Sequence, residues 1–198
     1  MRDRSMRMVP IEVVIDGTNF GGKTPLVARL LEWLAARGWL VGSASVYREG
    51  EVYAQWDADP VGAAATIVGR MQAHRERLTD VDVIVWDRGW PTCFISTRHA
   101  AARRLFLPLP PLTFVLLNSA AATAKKVAKY RLTPAAVPWM HDRRLKDEIS
   151  YEQLVQLFPN DLRSFAPTLA DDRFDLDLVA SEIVAEVAQA LVRSDDRR

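Results

Sequence analysis

Eight consecutive residues, Gly17-Thr18-Asn19-Phe20-Gly21-Gly22-Lys23-Thr24, are spaced to hold a polyphosphate. They fit the pattern G-x-x-x-x-G-K-[ST], in which the backbone N–H groups of a glycine-rich turn face phosphate oxygens and the dipole of the following helix favours their charge. On this reading Gly17, Asn19, Gly21, Gly22, Lys23, Thr24 and Pro25 line the phosphate site. Lys23 supplies a point charge to the β- and γ-phosphates, and the Thr24 hydroxyl is a ligand for Mg²⁺. Asp16 immediately precedes the loop. A carboxylate there could take a proton from an attacking hydroxyl, hold a metal-bound water, or only cap the loop by hydrogen bonds. Asp87 closes an apolar run, the place where a second Mg²⁺-organising acid is expected, and Arg88 beside it can reach a phosphoryl oxygen. Arg48 is a candidate substrate clamp, since a guanidinium binds phosphate through two hydrogen bonds, and Arg70 is a second candidate for that task. Lys125, Lys126, Lys129 and Arg131 form a further cationic group. Phosphoryl transfer is mostly positioning and charge neutralisation, so at least one of these four is expected to act on the moving group.

The elements that must position these residues follow from the apolar pattern. Ile11 to Ile15 is a short β-branched run that reads as a buried strand. Leu26, Leu30, Leu31 and Leu34 recur at helical spacing, predicting a helix from Lys23 to Arg37 that stops at Gly38. Pro25 suits a first helical turn but disfavours helical geometry at Thr24. A second strand is expected across Trp39–Val41 and Ala44–Tyr47, a helix from Pro60 to Leu78, and a third strand over Val81–Trp86. A helix from Thr92 to Leu105, a fourth strand over Leu112–Leu117 and a helix from Ala120 to Tyr130 follow. Glu148 to Phe158 reads as helix, Phe174–Asp177 as a short last strand, and Ser181 as the cap of a final amphipathic helix. Alternating strands and helices predict a mostly parallel sheet covered on both faces. Such sheets bind ligands at the carboxyl ends of their strands. The loop, Tyr47-Arg48-Glu49, Asp87-Arg88 and the segment after Leu117 all fall at such ends.

Composition sets the bounds. A chain of 198 residues is read as one domain with a large core. A net charge of +1 gives no reason to expect a nucleic-acid polymer as partner. The single Cys93 excludes an internal disulfide framework, and His74, His99 and His141 share no metal-ligand spacing. Leu105 to Ala124 carries no charge, but Pro108, Pro110 and Pro111 break any spanning helix. A soluble, cytoplasmic protein without membrane contact is expected.

In order along the chain, these segments resemble the thymidylate kinase family within the P-loop nucleoside and nucleotide kinases. Asp16 to Thr24 resembles the family's E-G-x-D-G-x-G-K-[ST] loop, Tyr47-Arg48-Glu49-Gly50 its R-E-P-G segment, and Gly69-Arg70 its A-D-R. Asp87-Arg88-Gly89-Trp90-Pro91-Thr92 resembles its D-R-Y-x-x-S, Leu116-Leu117 and the basic helix after them the approach to its lid, and Asp177 its terminal I-D. The resemblance implies a P-loop NTPase three-layer sandwich over residues 1–198, with a five-stranded parallel sheet and a helical lid at 125–150. It implies ATP as donor, Mg²⁺ as cofactor, an acceptor held by Arg48 and Arg70, a transition state stabilised by Arg88, Lys129 and Arg131, and a homodimer. The chain departs from the family at Phe20, at the missing proline after Glu49, at Gly89 in place of Tyr, and at Phe94-Ile95-Ser96-Thr97, where no thymine-reading helix start is recognisable. These departures fall on acceptor recognition more than on ATP handling. The expectation is an ATP-dependent kinase for a nucleotide or nucleoside-like acceptor. A small-molecule hydroxyl phosphotransferase and a catalytically silent nucleotide-binding regulator are the alternatives.

Overall fold

The computed structural model describes residues 9–18, 21–47, 58–97, 104–118, 151–169 and 173–195. Five strands form one sheet: β1 (Ile11–Gly17), β2 (Val41–Ala44), β3 (Val83–Asp87), β4 (Leu112–Leu116) and β5 (Arg163–Phe165). Their order is β2-β3-β1-β4-β5, and every pair is parallel. Parallel strands flanked by helices are buried on both sides and read as unbroken apolar runs. All residues of β3 and β4 are buried, as is β1 from Val13 onward. The helices are α1 (Lys23–Ala36), α2 (Pro60–Arg77), α3 (Trp90–Thr97), α4 (residues 151–157) and α5 (Leu176–Asp195).

Side chains alternate across a strand, so each strand feeds two cores. Val13, Ile15, Val85 and Phe114 pack with Leu26, Leu30 and Leu34 of α1 and Ile183 and Val187 of α5. Val14, Ile84, Trp86 and Val115 pack on the other face with Ile67 and Met71 of α2, Trp90 of α3 and Leu154 of α4. The result is a three-layer α/β domain. A fully buried side chain of this kind contributes about 1.5–3 kcal/mol relative to exposure, so neither face tolerates a register slip in β1. Asp16 stands two residues beyond Val14 and therefore faces the α3 and α4 layer.

Several boundaries differ from the sequence expectation. β2 occupies Val41–Ala44 alone, while Val46 and Tyr47 are buried beyond its end. β3 begins at Val83, and the Asp82 side chain before it accepts from the Leu40 N–H at 2.8 Å. The last strand is Arg163–Phe165, not Phe174–Asp177. The Asp175 side chain accepts from the N–H groups of Asp177 and Leu178, each at 3.1 Å, so the final helix starts at Leu176 and Ser181 lies within it. Among the described residues no helix is long and apolar enough to cross a membrane.

Candidate active site

The glycine-rich loop leaves the carboxyl end of β1 as the pattern required. Gly17 has φ +125°, and a Cβ there would stand 2.2 Å from the Leu116 carbonyl oxygen of β4. Only glycine permits both the backbone angle and the approach. The Thr18 N–H then donates to that same Leu116 carbonyl at 3.2 Å. Gly22 (φ +86°) is the cap of α1, and its carbonyl accepts from Leu26 N–H at 3.0 Å. Pro25 is the third residue of α1, where an N–H has no intrahelical acceptor, so the ring removes no hydrogen bond.

Lys23 is buried, and its Nζ donates to the Gly17 carbonyl at 2.9 Å and to the Thr18 carbonyl. The ammonium is thus held within the curve of the loop. Thr24 Oγ1 donates to Asp87 Oδ2 at 3.2 Å. The two side chains read as Mg²⁺ ligands come from strands and helices far apart in sequence and meet here. Ile15 pairs with Asp87 in the sheet, which sets Asp87 beside the start of the loop.

Asp16 is fully buried. Its Oδ1 accepts from Gly17 N–H at 2.8 Å, Thr92 Oγ1 at 2.6 Å and Tyr151 Oη at 2.6 Å, and its Oδ2 accepts from Gly89 N–H at 2.9 Å and Thr92 N–H at 3.0 Å. Gly89 and Thr92 flank the first turn of α3, so Asp16 caps that helix from another strand. Its charge lies at the positive end of the helix dipole. These bonds reach both the first glycine of the loop and the start of α3. Both oxygens are occupied, and neither is open to solvent.

Arg88 has φ +77°, an angle few non-glycine residues adopt. Its N–H donates to the Ile15 carbonyl at 2.9 Å, and its Nη1 donates to Thr92 Oγ1 at 3.3 Å. A Cβ on Gly89 would stand 2.7 Å from Val14 Cγ1, so α3 starts hard against β1. Tyr47 Oη donates to the Gly89 carbonyl at 2.6 Å. Arg70, half-buried on α2, donates through Nη1 to the Val46 carbonyl at 3.2 Å, which ties it to the chain leaving β2. Burial, reinforced by nearby groups including the Asp16 charge, holds the Tyr47 and Tyr151 hydroxyls well above the usual tyrosine range. Burial and Asp16 likewise push the Cys93 thiol up to about 12. All three groups stay protonated at neutral pH.

The structure therefore gathers Asp16, Gly17, Gly21, Gly22, Lys23, Thr24, Pro25, Asp87 and Arg88 at the carboxyl ends of β1 and β3, with Arg70 adjoining. Asn19, Arg48, Lys125, Lys126, Lys129 and Arg131 lie outside the described residues. Tyr151 was not foreseen. It meets Asp16 across 135 positions of chain, and no local pattern marks it. Two further polar groups went unnoticed in the sequence. The Thr18 hydroxyl and both ends of the Asn118 carboxamide are buried without a hydrogen-bond partner.

No protein-family model matches the chain, and neither does any curated protein. Fold and site together define a coarse class: a three-layer α/β protein with a five-stranded parallel sheet and a glycine-rich loop at the end of its central strand.

Proposed function

We propose that this protein is an ATP-dependent phosphotransferase of the P-loop, thymidylate kinase-like type, transferring the γ-phosphoryl group to a nucleotide acceptor. The observation that carries the reading is the meeting of Thr24 Oγ1 and Asp87 Oδ2 at 3.2 Å beside a loop that holds the Lys23 ammonium. Among the described residues no group of three or more His, Cys, Asp or Glu side chains is placed to hold a metal ion. One hydroxyl and one carboxylate suit Mg²⁺, which keeps several waters and takes its remaining oxygens from substrate phosphates. The glycine cradle and the α1 N-terminus suit a polyphosphate. Mg·ATP, when bound, supplies the phosphoryl group and a dication that neutralises its charge.

The chain's own residues divide the remaining work. Loop amides and Lys23 hold the donor phosphates, Thr24 and Asp87 hold the metal, and Arg88 stands where the acceptor approaches. Lys129 and Arg131 are proposed as further cations for the transition state, and Arg48 with Arg70 as the acceptor clamp. Asp16 is a positioning residue: it fixes the first glycine of the loop and the start of α3 with one carboxylate. This bears on the acceptor. A hydroxyl nucleophile needs a base, and the Asp16 oxygens already accept from five donors. An acceptor phosphate is ionised at neutral pH and needs none. Enclosure of Asp16 thus supports a phosphorylated acceptor, a nucleoside monophosphate, over a bare nucleoside or another hydroxyl compound.

The test is ATP consumption with Mg²⁺ against a panel of nucleoside monophosphates, nucleosides and unrelated hydroxyl compounds. Transfer to a monophosphate, abolished by Lys23→Ala, is expected. Transfer that survives Lys23→Ala would remove the loop from the chemistry, and transfer only to unphosphorylated hydroxyls would overturn the assignment of the acceptor.

A further inference from the structure

Asn118 lies just past the end of β4, and only 3% of it is exposed. Its Oδ1 and Nδ2 are both buried without a partner, and so is Oγ1 of Thr18, a residue with 0% exposure. Folded proteins rarely leave a buried amide unpaired at both ends, because it has been stripped of water and given nothing in return. A partner that arrives with a ligand would satisfy it.

Its place in the fold says which part of the ligand that is. Leu116 pairs with Gly17 of β1 and Phe165 of β5, and its carbonyl accepts from Thr18 N–H. The Leu117 N–H donates to the Phe165 carbonyl at 2.9 Å. Asn118 therefore stands on the β4–β5 side of the loop. Asp87, the carboxylate of the proposed metal-binding pair, stands on the opposite side, at the end of β3; Arg88 follows it, and Tyr47 beyond β2 and Arg70 of α2 lie on that side too. A donor whose phosphates reach Thr24 and Asp87, with an acceptor entering over β2 and β3, has only the β4–β5 side left for its nucleoside. The chemistry agrees. A neutral carboxamide is a poor group for a triphosphate, which needs cations. It suits the edge of a base, where a donor and an acceptor lie side by side.

We infer that Asn118 reads the nucleoside half of the donor nucleotide and sets which base the protein accepts. The inference rests on the phosphotransferase reading above. The test measures binding of Mg·ATP, Mg·GTP and Mg·tripolyphosphate to the wild-type protein, to Asn118→Leu and to Lys23→Ala by calorimetry. Asn118→Leu is expected to weaken ATP about tenfold or more, as the loss of a well-formed hydrogen-bonded pair does. It should bring the ATP and GTP affinities together and leave tripolyphosphate within about twofold, since the phosphates are held elsewhere. Its thermal midpoint should not fall, because an unpaired amide has been replaced by an apolar group of similar volume. Should Asn118→Leu fail to fold, Asn118→Ala adds no bulk and carries the same readouts. Unchanged ATP affinity, or parallel loss of ATP and tripolyphosphate, would overturn the inference while leaving the phosphotransferase reading intact, provided Lys23→Ala loses both ligands. A wild-type protein that binds neither ATP nor tripolyphosphate overturns both.

Discussion

Replacing Asp16 by Asn changes one atom in a buried carboxylate and tests whether that carboxylate holds the site together. The amide has one accepting oxygen where the carboxylate has two. Its best orientation keeps the oxygen toward the Gly89 and Thr92 N–H groups and turns the NH₂ toward the Thr92 and Tyr151 hydroxyls, whose lone pairs can rotate to meet it. The Gly17 N–H, 2.8 Å from Oδ1, then faces another donor. An unsatisfied buried N–H costs about 1–3 kcal/mol. The Gly89 and Thr92 amides lose charge assistance, about 1 kcal/mol each, since bonds to charged groups are worth roughly twice neutral ones. The sum is about 4 kcal/mol, a large part of the roughly 5–15 kcal/mol that stabilises a domain. For a protein of this size that corresponds to a drop in melting temperature of about 8–16 °C. Urea unfolding at neutral pH, read as a midpoint at constant slope, measures it. A loss under about 1 kcal/mol would refute the network, because a single peripheral hydrogen bond would account for it.

Two other substitutions and one pH series test neighbouring parts of the reasoning. Gly17→Ala must adopt φ +125° and bring a Cβ to 2.2 Å from the Leu116 carbonyl, whereas Gly38→Ala has φ +81° and no atom within 4 Å. The second should cost about 1–2 kcal/mol for the backbone angle alone, and the first substantially more; equal losses in chemical denaturation would contradict the close approach of loop and β4. Cys93 is held neutral up to about 12 against an ordinary value of 9.0, so its stabilising contribution is complete below pH 9 and is lost as pH rises toward 12. Stability should fall above pH 9 by up to about 1.4 kcal/mol per pH unit, with Tyr47 and Tyr151 adding to the slope above pH 10. Cys93→Ala should delay the onset to near pH 10, and a slope unchanged by that variant would show that the thiol does not titrate on unfolding.

The elements legible in sequence were those whose signal is local. The β-branched run of β1, the glycines and the leucine stripe of α1 lie within thirty positions of one another and fold as read. β3 and β4 were visible as apolar runs bounded by Asp87 and by the prolines before Leu112. The last strand was not legible, because Arg163-Ser164-Phe165 is short, lies at the sheet edge and has only partial burial. Phe174-Asp175-Leu176-Asp177 imitates strand alternation, yet Asp175 spends its side chain on the N–H groups of a helix start. The site divides in the same way. The pairing of Thr24 with Asp87 follows from a motif plus a parallel sheet. The role of Asp16 depends on Thr92 and Tyr151, which no spacing rule connects to it. Asn118 is polar in a stretch of apolar sequence, but nothing in that stretch says whether its carboxamide finds a partner in the fold.

The Tyr151 hydrogen bond has a consequence for how α4 is coupled to the loop. Asp16 Oδ1 accepts from both the Tyr151 hydroxyl and the Gly17 N–H, so one oxygen joins α4 to the first glycine. On the other side the Leu116 carbonyl of β4 holds the Thr18 N–H. The start of the loop is thus held from two elements at once, and a displacement of α4 is passed through a single oxygen to the backbone of Gly17.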